Sequence, residues 1–163
     1  MTKREAAEVI NRHQRIAEGY HADIRRTKNN ISNKSDEKRN LEKRKREVEQ
    51  VIRKLLNVNG EIGDVNRQAK NTQSSYTKAI RLKEAVAGNI HTAFQEKSIE
   101  DERNTQAALQ KLRQEVQRIT DAISSIQAEI NRLQNAINSL QHEIRYCQNV
   151  ADDYARMMHT LPD

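Results

Sequence analysis

The sequence has few of the residues that build sheets, tight turns and bulky cores. It contains one proline, four glycines, one phenylalanine and no tryptophan, and only 3% of its 163 residues are aromatic. Sandwiches, barrels and doubly wound sheets depend on turn residues and large core side chains, so the composition argues against these fold classes. The length fits one ordinary domain.

Cysteines and long apolar runs are also scarce. The single cysteine, Cys147, cannot form a disulfide within the chain, which is typical of a reducing compartment. No apolar run approaches the roughly 18 residues of a membrane span, and the first residues lack the apolar core of a secretory signal. We therefore expect a cytoplasmic protein without a membrane span, or one that is co-exported without a cleaved signal peptide.

Charged residues make up 32% of the chain and hydrophobic residues 35%. This balance is typical of disordered chains unless the apolar residues follow a helical period. In the last third of the sequence they alternate spacings of three and four without a slip, which predicts a coiled coil with one narrow apolar seam. The residues of this predicted seam are Leu109, Leu112, Val116, Ile119, Ile123, Ile126, Ile130, Leu133, Ile137, Leu140 and Ile144.

A capping pattern predicts where the first helix begins. Thr2 followed three residues later by Glu5 is a capping-box pattern, which predicts a first helix over residues 3–57. The sequence then predicts a turn at Asn59, Gly60 and Gly63, because glycine commonly follows the last residue of a helix.

Beyond this turn the sequence predicts a second helix over residues 64–96 and a third over residues 99–158. Ser98 followed by acidic residues predicts a short break, and one continuous helix is the alternative. The second helix carries apolar residues of mixed size: Val65, Ala69, Tyr76, Ala79, Ile80, Val86, Ile90 and Phe94. Together the patterns predict a single all-α domain, an elongated antiparallel coiled-coil hairpin or three-helix coiled coil.

The first predicted helix shares the heptad spacing but places Lys34, Lys38 and Lys45 on its seam. Lysine at a seam position lowers stability unless its ammonium group reaches water. The seam of the third helix is therefore only partly matched within the chain. We expect part of it to bind another chain, either a different protein or a second copy.

Positive charge is concentrated in the first helix. Residues 1–56 contain 16 basic and 9 acidic residues, whereas the remainder carries 13 and 14. This pattern favours a solvated face or an acidic protein partner over nucleic acid, since no aromatic side chain lies between Arg25 and Arg46 for bases to stack on. The residues of this predicted basic patch are Arg25, Arg26, Lys28, Lys38, Arg39, Lys43, Arg44, Lys45 and Arg46.

Motifs that carry chemistry are missing from the sequence. Glu18 and His21 form one Glu-x-x-His motif, but a di-iron bundle needs two such motifs and two further glutamates. Cys147 falls on the seam, where we expect it to pack as a small hydrophobe. The sequence shows no nucleophile motif, Walker loop or dinucleotide turn, so we expect no catalytic, cofactor or metal site.

The order of elements resembles a family of small helical proteins. The features are a long charged helix, a glycine-containing turn, the stretch of residues 75–98 and three related heptads that begin at Ile126, Leu133 and Leu140. This order resembles the YwqH-like partner proteins encoded beside LXG-domain toxins of Gram-positive type VII secretion systems. The resemblance implies a chaperone or targeting adaptor that binds the helical N-terminal LXG domain, with a second small helical protein as a further partner.

The chain departs from such secretion proteins in two respects. It has no tryptophan for a Trp-x-Gly turn, and neither Tyr146 nor Tyr154 is followed four residues later by an acid. The resemblance therefore implies that a partner supplies the export signal. The alternatives are a homo-oligomeric scaffold, such as a phage or cytoskeletal component, and a nucleic-acid-binding coiled coil.

Overall fold

The described residues fold into two long helices. The computed structural model describes the backbone of residues 1–79 and 84–162, and the side chains of these residues apart from 66, 69, 72–79, 84–95 and 98. Helix α1 runs over Lys3–Ala79 and helix α2 over Glu84–Met158. The described part of the chain contains no strand. The protein is therefore all-α and forms a helical hairpin, as the composition predicts.

The start of α1 confirms the predicted capping box. The Thr2 amide donates to Glu5 Oε2 at 2.8 Å, and the Glu5 amide donates to Thr2 Oγ1 at 3.3 Å. Together the two bonds pair amides that the first turn of a helix leaves without partners. The beginning of α1 is thus set by local chemistry.

The predicted turn at Asn59, Gly60 and Gly63 is wrong, because α1 continues through all three residues. Neither glycine has a positive φ, and a Cβ built on either would meet no atom within 4 Å. Glycine inside a helix costs only about 1 kcal/mol relative to alanine. The half-buried residues Leu55, Asn59 and Ile62 keep the seam spacing across the glycines, so packing offsets that cost.

The bounds of the other predicted helices also differ from the structure. The described residues form two helices where three were predicted, and α2 is continuous from Glu84, which agrees with the alternative of no break near Ser98. The side chains of the predicted second-helix stripe from Ala69 to Phe94, and most of the stretch of residues 75–98, lie outside the described residues. Helix α1 ends at Ala79, and helix α2 begins at Glu84.

The chain divides into two compact units, and each contains a segment of both helices. Unit 1 comprises Met1–Asn40 and Ile123–Asp163. The Lys3 amide donates to the carbonyl of Pro162 at 3.0 Å, so the start of α1 lies beside the last residues of the chain. The core of unit 1 is a cluster of buried residues joined by three half-buried neighbours: Ala17, Ile24, Ile137, Ile144 and Cys147, with Tyr20, Ile31 and Leu140.

Unit 2 comprises Leu41–Ala122. Its most deeply buried α2 side chains are Leu109 and Ile119. The α1 residues at seam spacing in this unit are half-buried, and they are Leu41, Lys45, Val48, Ile52, Leu55, Asn59 and Ile62. The Oδ1 atom of Asn59 is buried and accepts no hydrogen bond in the described part of the chain. The narrow seam therefore contains a polar interruption at the level of the two glycines.

Candidate partner-binding face

The seam predicted to bind a partner is used within the chain. Leu109, Ile119, Ile126, Ile130, Ile137 and Ile144 are buried. The other five seam residues are half-buried: Leu112, Val116, Ile123, Leu133 and Leu140. Burial follows the predicted spacing of three and four along the whole set. This burial favours packing of the seam within the chain, and binding of another chain to part of the seam stays a prediction.

The seam lysines of α1 explain why the chain can satisfy its own seam. In unit 1, Lys34 Nζ lies 3.3 Å from Glu129 Oε2 and 3.6 Å from Glu37 Oε2. Lys38 Nζ donates to Gln127 Oε1 at 2.8 Å. The lysine stems cover the edge of the seam while the ammonium groups reach polar atoms at its border. The burial cost expected for these lysines is thus largely avoided.

The environment of Lys34 also shifts its protonation equilibrium. The hydrogen bond to Glu129 raises the pKa of the Lys34 ammonium above its ordinary value, and the charges of Glu129 and Glu37 act in the same direction. Partial burial opposes these effects. Because the side chain is about one-third exposed, solvent screens the pair and its value for stability is modest.

The predicted basic patch is divided between the two units. Seven of its nine residues are exposed, whereas Lys38 and Lys45 are half-buried at seam positions. Three of its arginines lie beside carboxylates, Arg26 by Asp23, Arg39 by Asp36 and Arg44 by Glu115. These ion pairs reduce the positive field of the patch. Its residues from Arg25 to Arg39 lie in unit 1 and those from Lys43 to Arg46 in unit 2.

The residues considered for metal chemistry lie at the surface, and the one considered for thiol chemistry lies in the core. Glu18 and His21 are both exposed on α1. Within the described residues, no group of three His, Cys, Asp or Glu side chains could hold a metal ion. Cys147 is buried in the core cluster of unit 1, which confirms that it packs as a small hydrophobe.

One ion pair shows which sides of the two helices adjoin in unit 2. Arg44 Nη2 lies 2.9 Å from Glu115 Oε1, across the border of the seam. Residues seven apart occupy nearly the same helical face. This same side therefore includes the positions 7, 14 and 21 residues after Arg44 on α1. On α2 it includes the positions 7 and 14 residues before Glu115.

Those positions on α1 are occupied by Val51, Val58 and Val65, which we call the valine face. Their side chains are 49%, 45% and 46% exposed. On α2 the corresponding positions hold Ala108 and Asp101, both half-buried. Valines beside a small alanine leave a shallow apolar surface next to the seam. A rise of 1.5 Å per residue spaces successive valines about 10.5 Å apart, the repeat that a heptad-patterned helix would match.

Basic side chains border the α2 side of this surface. Lys97, Lys111 and Arg118 are exposed, and we call them the basic rim. Lys111 and Arg118 each directly precede a seam residue, which places them just outside the row that contains Glu115. The α1 border opposite is mixed, with exposed Glu47, Lys54 and Glu61. The valine face thus lies between one basic and one mixed edge.

The sequence contained a signal for the valine face. Val51, Val58 and Val65 recur at one heptad position beside the seam, whereas the corresponding positions within residues 23–44 hold polar side chains. A wider apolar stripe of this kind is typical of a helix that packs against more than one neighbour. The predicted turn at residues 57–64 assigned Val51 and Val65 to different helices and so concealed the repeat.

Comparison with known proteins identifies no relative. The chain matches no protein-family model, no curated protein and no solved structure. Neither described helix contains a stretch long and apolar enough to cross a membrane. The resemblance to the partners of LXG toxins therefore stays a prediction.

Proposed function

We propose that the protein is a non-enzymatic helical adaptor that binds a helix of a partner protein on the valine face. The observation that carries the proposal is the exposure of Val51, Val58 and Val65 at heptad spacing beside Ala108. On the seam, α1 already packs against α2. An additional apolar row on the same helix fits a third helix laid along the hairpin.

Burial of the valine face alone gives too little free energy for stable binding. Covering the exposed half of each valine contributes about 1 kcal/mol, or about 3 kcal/mol for the three. Association of two molecules costs roughly 4–15 kcal/mol in lost freedom of motion. The partner helix must therefore add contacts with the borders of the face, and binding depends on both apolar and polar complementarity.

We further propose that this partner is the helical LXG domain of a type VII secretion toxin, with the present chain acting as a chaperone or targeting adaptor before export. The resemblance described above supports this choice, and a helical domain is the type of ligand that the valine face fits. On this proposal the chain works in the cytoplasm, and the complex uses an export signal supplied by a partner. The proposal includes coiled-coil winding of α1 and α2, supported by burial at the heptad spacing.

Substitution of Val58 by aspartate tests the proposal. The purified chain is mixed with the LXG domain of the toxin encoded beside its gene, and the dissociation constant is measured by calorimetry. We expect Val58→Asp to weaken binding at least about tenfold, since a carboxylate would be buried under the partner helix. Circular dichroism should show unchanged helix content, because residue 58 is exposed in the free protein.

Leu56→Asp is the matched control. Leu56 is 42% exposed on the same helix, but two residues correspond to about 200° of rotation, so it lies on the other side of α1. Binding should be retained in this variant. Equal binding by all three proteins, or no binding of the LXG domain, would contradict the proposal. A stable homo-oligomer that Val58→Asp dissociates would instead favour the homo-oligomeric scaffold.

A further inference from the structure

We infer that the helix bound on the valine face carries acidic side chains along the edge that lies against α2. This inference rests on the proposed function and specifies the chemistry of the partner at that site. Its basis is the basic rim, where Lys97, Lys111 and Arg118 follow one another at heptad-related positions on α2. No acidic residue lies in this row, since the remaining position is Asn104.

The rim has the geometry of a charged edge in a helix bundle. In packed helices, residues that flank the apolar contact reach across to the neighbouring helix and determine which partner is accepted. Lys111 and Arg118 lie one turn to either side of Glu115, and Lys97 lies one turn before Asp101. A helix resting on Val51 and Val58 would pass beside Lys97 and Lys111, and Arg118 would lie near the end of the helix that is closest to Arg44.

The acidic groups near the rim already have cationic neighbours. Glu115 is held by Arg44 at 2.9 Å and lies 4.0 Å from Arg118. Asp101 lies 3.4 Å from Lys97 Nζ. Lys111 pairs with no carboxylate among the residues that the structure describes. Its charge is the least compensated of the three and is the one we expect to act most strongly on a partner.

The α1 border of the valine face does not cancel the preference of the basic rim for acidic side chains. Glu47 and Glu61 carry negative charge and Lys54 positive charge, so the two borders together carry four bases and two acids. A partner helix with glutamates at its flanks gains on the α2 edge more than it loses on the α1 edge. Such complementarity contributes to partner selection and to the association rate, and salt weakens it.

Two designed peptides test the inference. Each is a three-heptad helix with the same leucines and isoleucines at its apolar positions, and the two differ only in glutamate or lysine at every flanking position. Fluorescence anisotropy with the full chain at low salt measures both affinities. We expect the glutamate peptide to bind about tenfold more tightly, and the difference to shrink as salt is added.

Lys111→Glu should remove or reverse this preference. Arg113→Glu makes the same charge change two residues away on the opposite side of α2 and should leave the preference intact. Val58→Asp should abolish binding of both peptides. Equal affinity of both peptides, with binding still dependent on Val58, would overturn the acidic-partner inference and leave the helix-binding function standing. Failure of both peptides to bind, or binding that does not depend on Val58, would contradict both the inference and the proposed function.

Discussion

Lys34 and Lys38 show how a charged side chain can occupy a narrow apolar seam at little cost. Both occupy positions that a coiled coil normally gives to apolar residues, and each ends on a polar atom of α2, Glu129 for Lys34 and Gln127 for Lys38. The sequence predicted that these lysines lie on the seam. It did not show that Gln127 and Glu129 stand within their reach, because that depends on the register between residues about ninety apart. The burial cost expected for these lysines was therefore too high for a specific geometric reason.

The pH dependence of Lys34 follows from its raised pKa. A cation whose pKa is higher in the folded than in the unfolded state contributes stability that is fully present below the unfolded pKa and is lost as the pH rises through the folded pKa. We expect the stability advantage of the native protein over Lys34→Met to be constant near neutral pH. It should decline above about pH 10.4, the ordinary value for lysine.

Thermal melts of both proteins at matched pH values measure this difference. All other side chains are the same in the two proteins, so their contributions cancel in the comparison. Lys28→Met, which removes an exposed lysine of the same helix, is the control and should show no comparable decline. A difference that stays constant through the alkaline range would contradict the role assigned to the Glu129 pair.

At the scale of the helix, local and repeated signals were predictable from sequence, whereas the continuation of α1 through Gly60 and Gly63 was not. The Thr2–Glu5 capping box specifies the start of α1 through its own hydrogen bonds. The α2 side chains at the seam spacing are buried or half-buried. Gly60 and Gly63 are compatible with both a turn and a helix, and the burial of Leu55 and Ile62 on either side decides in favour of the helix. That contribution from packing is absent from local propensity.

Gly60→Ala distinguishes a helix from a turn at this point. With no positive φ and no atom near the added Cβ, alanine should stabilise α1 by about 0.5–1 kcal/mol. Urea unfolding followed by circular dichroism measures the change. Gly19→Ala, another helical glycine with open space around it, should give a similar gain. Loss of stability in Gly60→Ala alone would indicate a left-handed turn residue and contradict the continuous helix.

The valine face and the basic rim were only partly predictable from sequence. Val51, Val58 and Val65 could have been found from their heptad spacing beside the seam. Recognising them required α1 to be continuous through the glycines. The basic rim could not be associated with them from sequence, because the Arg44–Glu115 pair is what shows that these sides of α1 and α2 adjoin. A face made by two helices depends on their register, which neither helix specifies alone.

At the scale of the whole molecule, the proposed function assigns folding and partner binding to different apolar residues. The α2 seam stabilises the fold from within, and Ile137 is buried in the core cluster of unit 1. The valine face lies beside the seam in unit 2 and contributes little to the free protein, since about half of each side chain is exposed. Substitutions in the two sets should therefore separate loss of stability from loss of binding.

Ile137→Asp tests this separation from the side of the fold. A carboxylate in place of a side chain that is 8% exposed loses the apolar burial and must be desolvated, so we expect the free energy of unfolding to fall by about 4 kcal/mol. Tyr146→Asp introduces the same charge on α2 at a position that is 62% exposed, and should change stability by less than about 0.5 kcal/mol. Chemical unfolding of the three proteins gives both values. If Ile137→Asp were as stable as the native chain and yet lost its partner, the seam itself would be the binding surface, and the valine face would lose its assigned role.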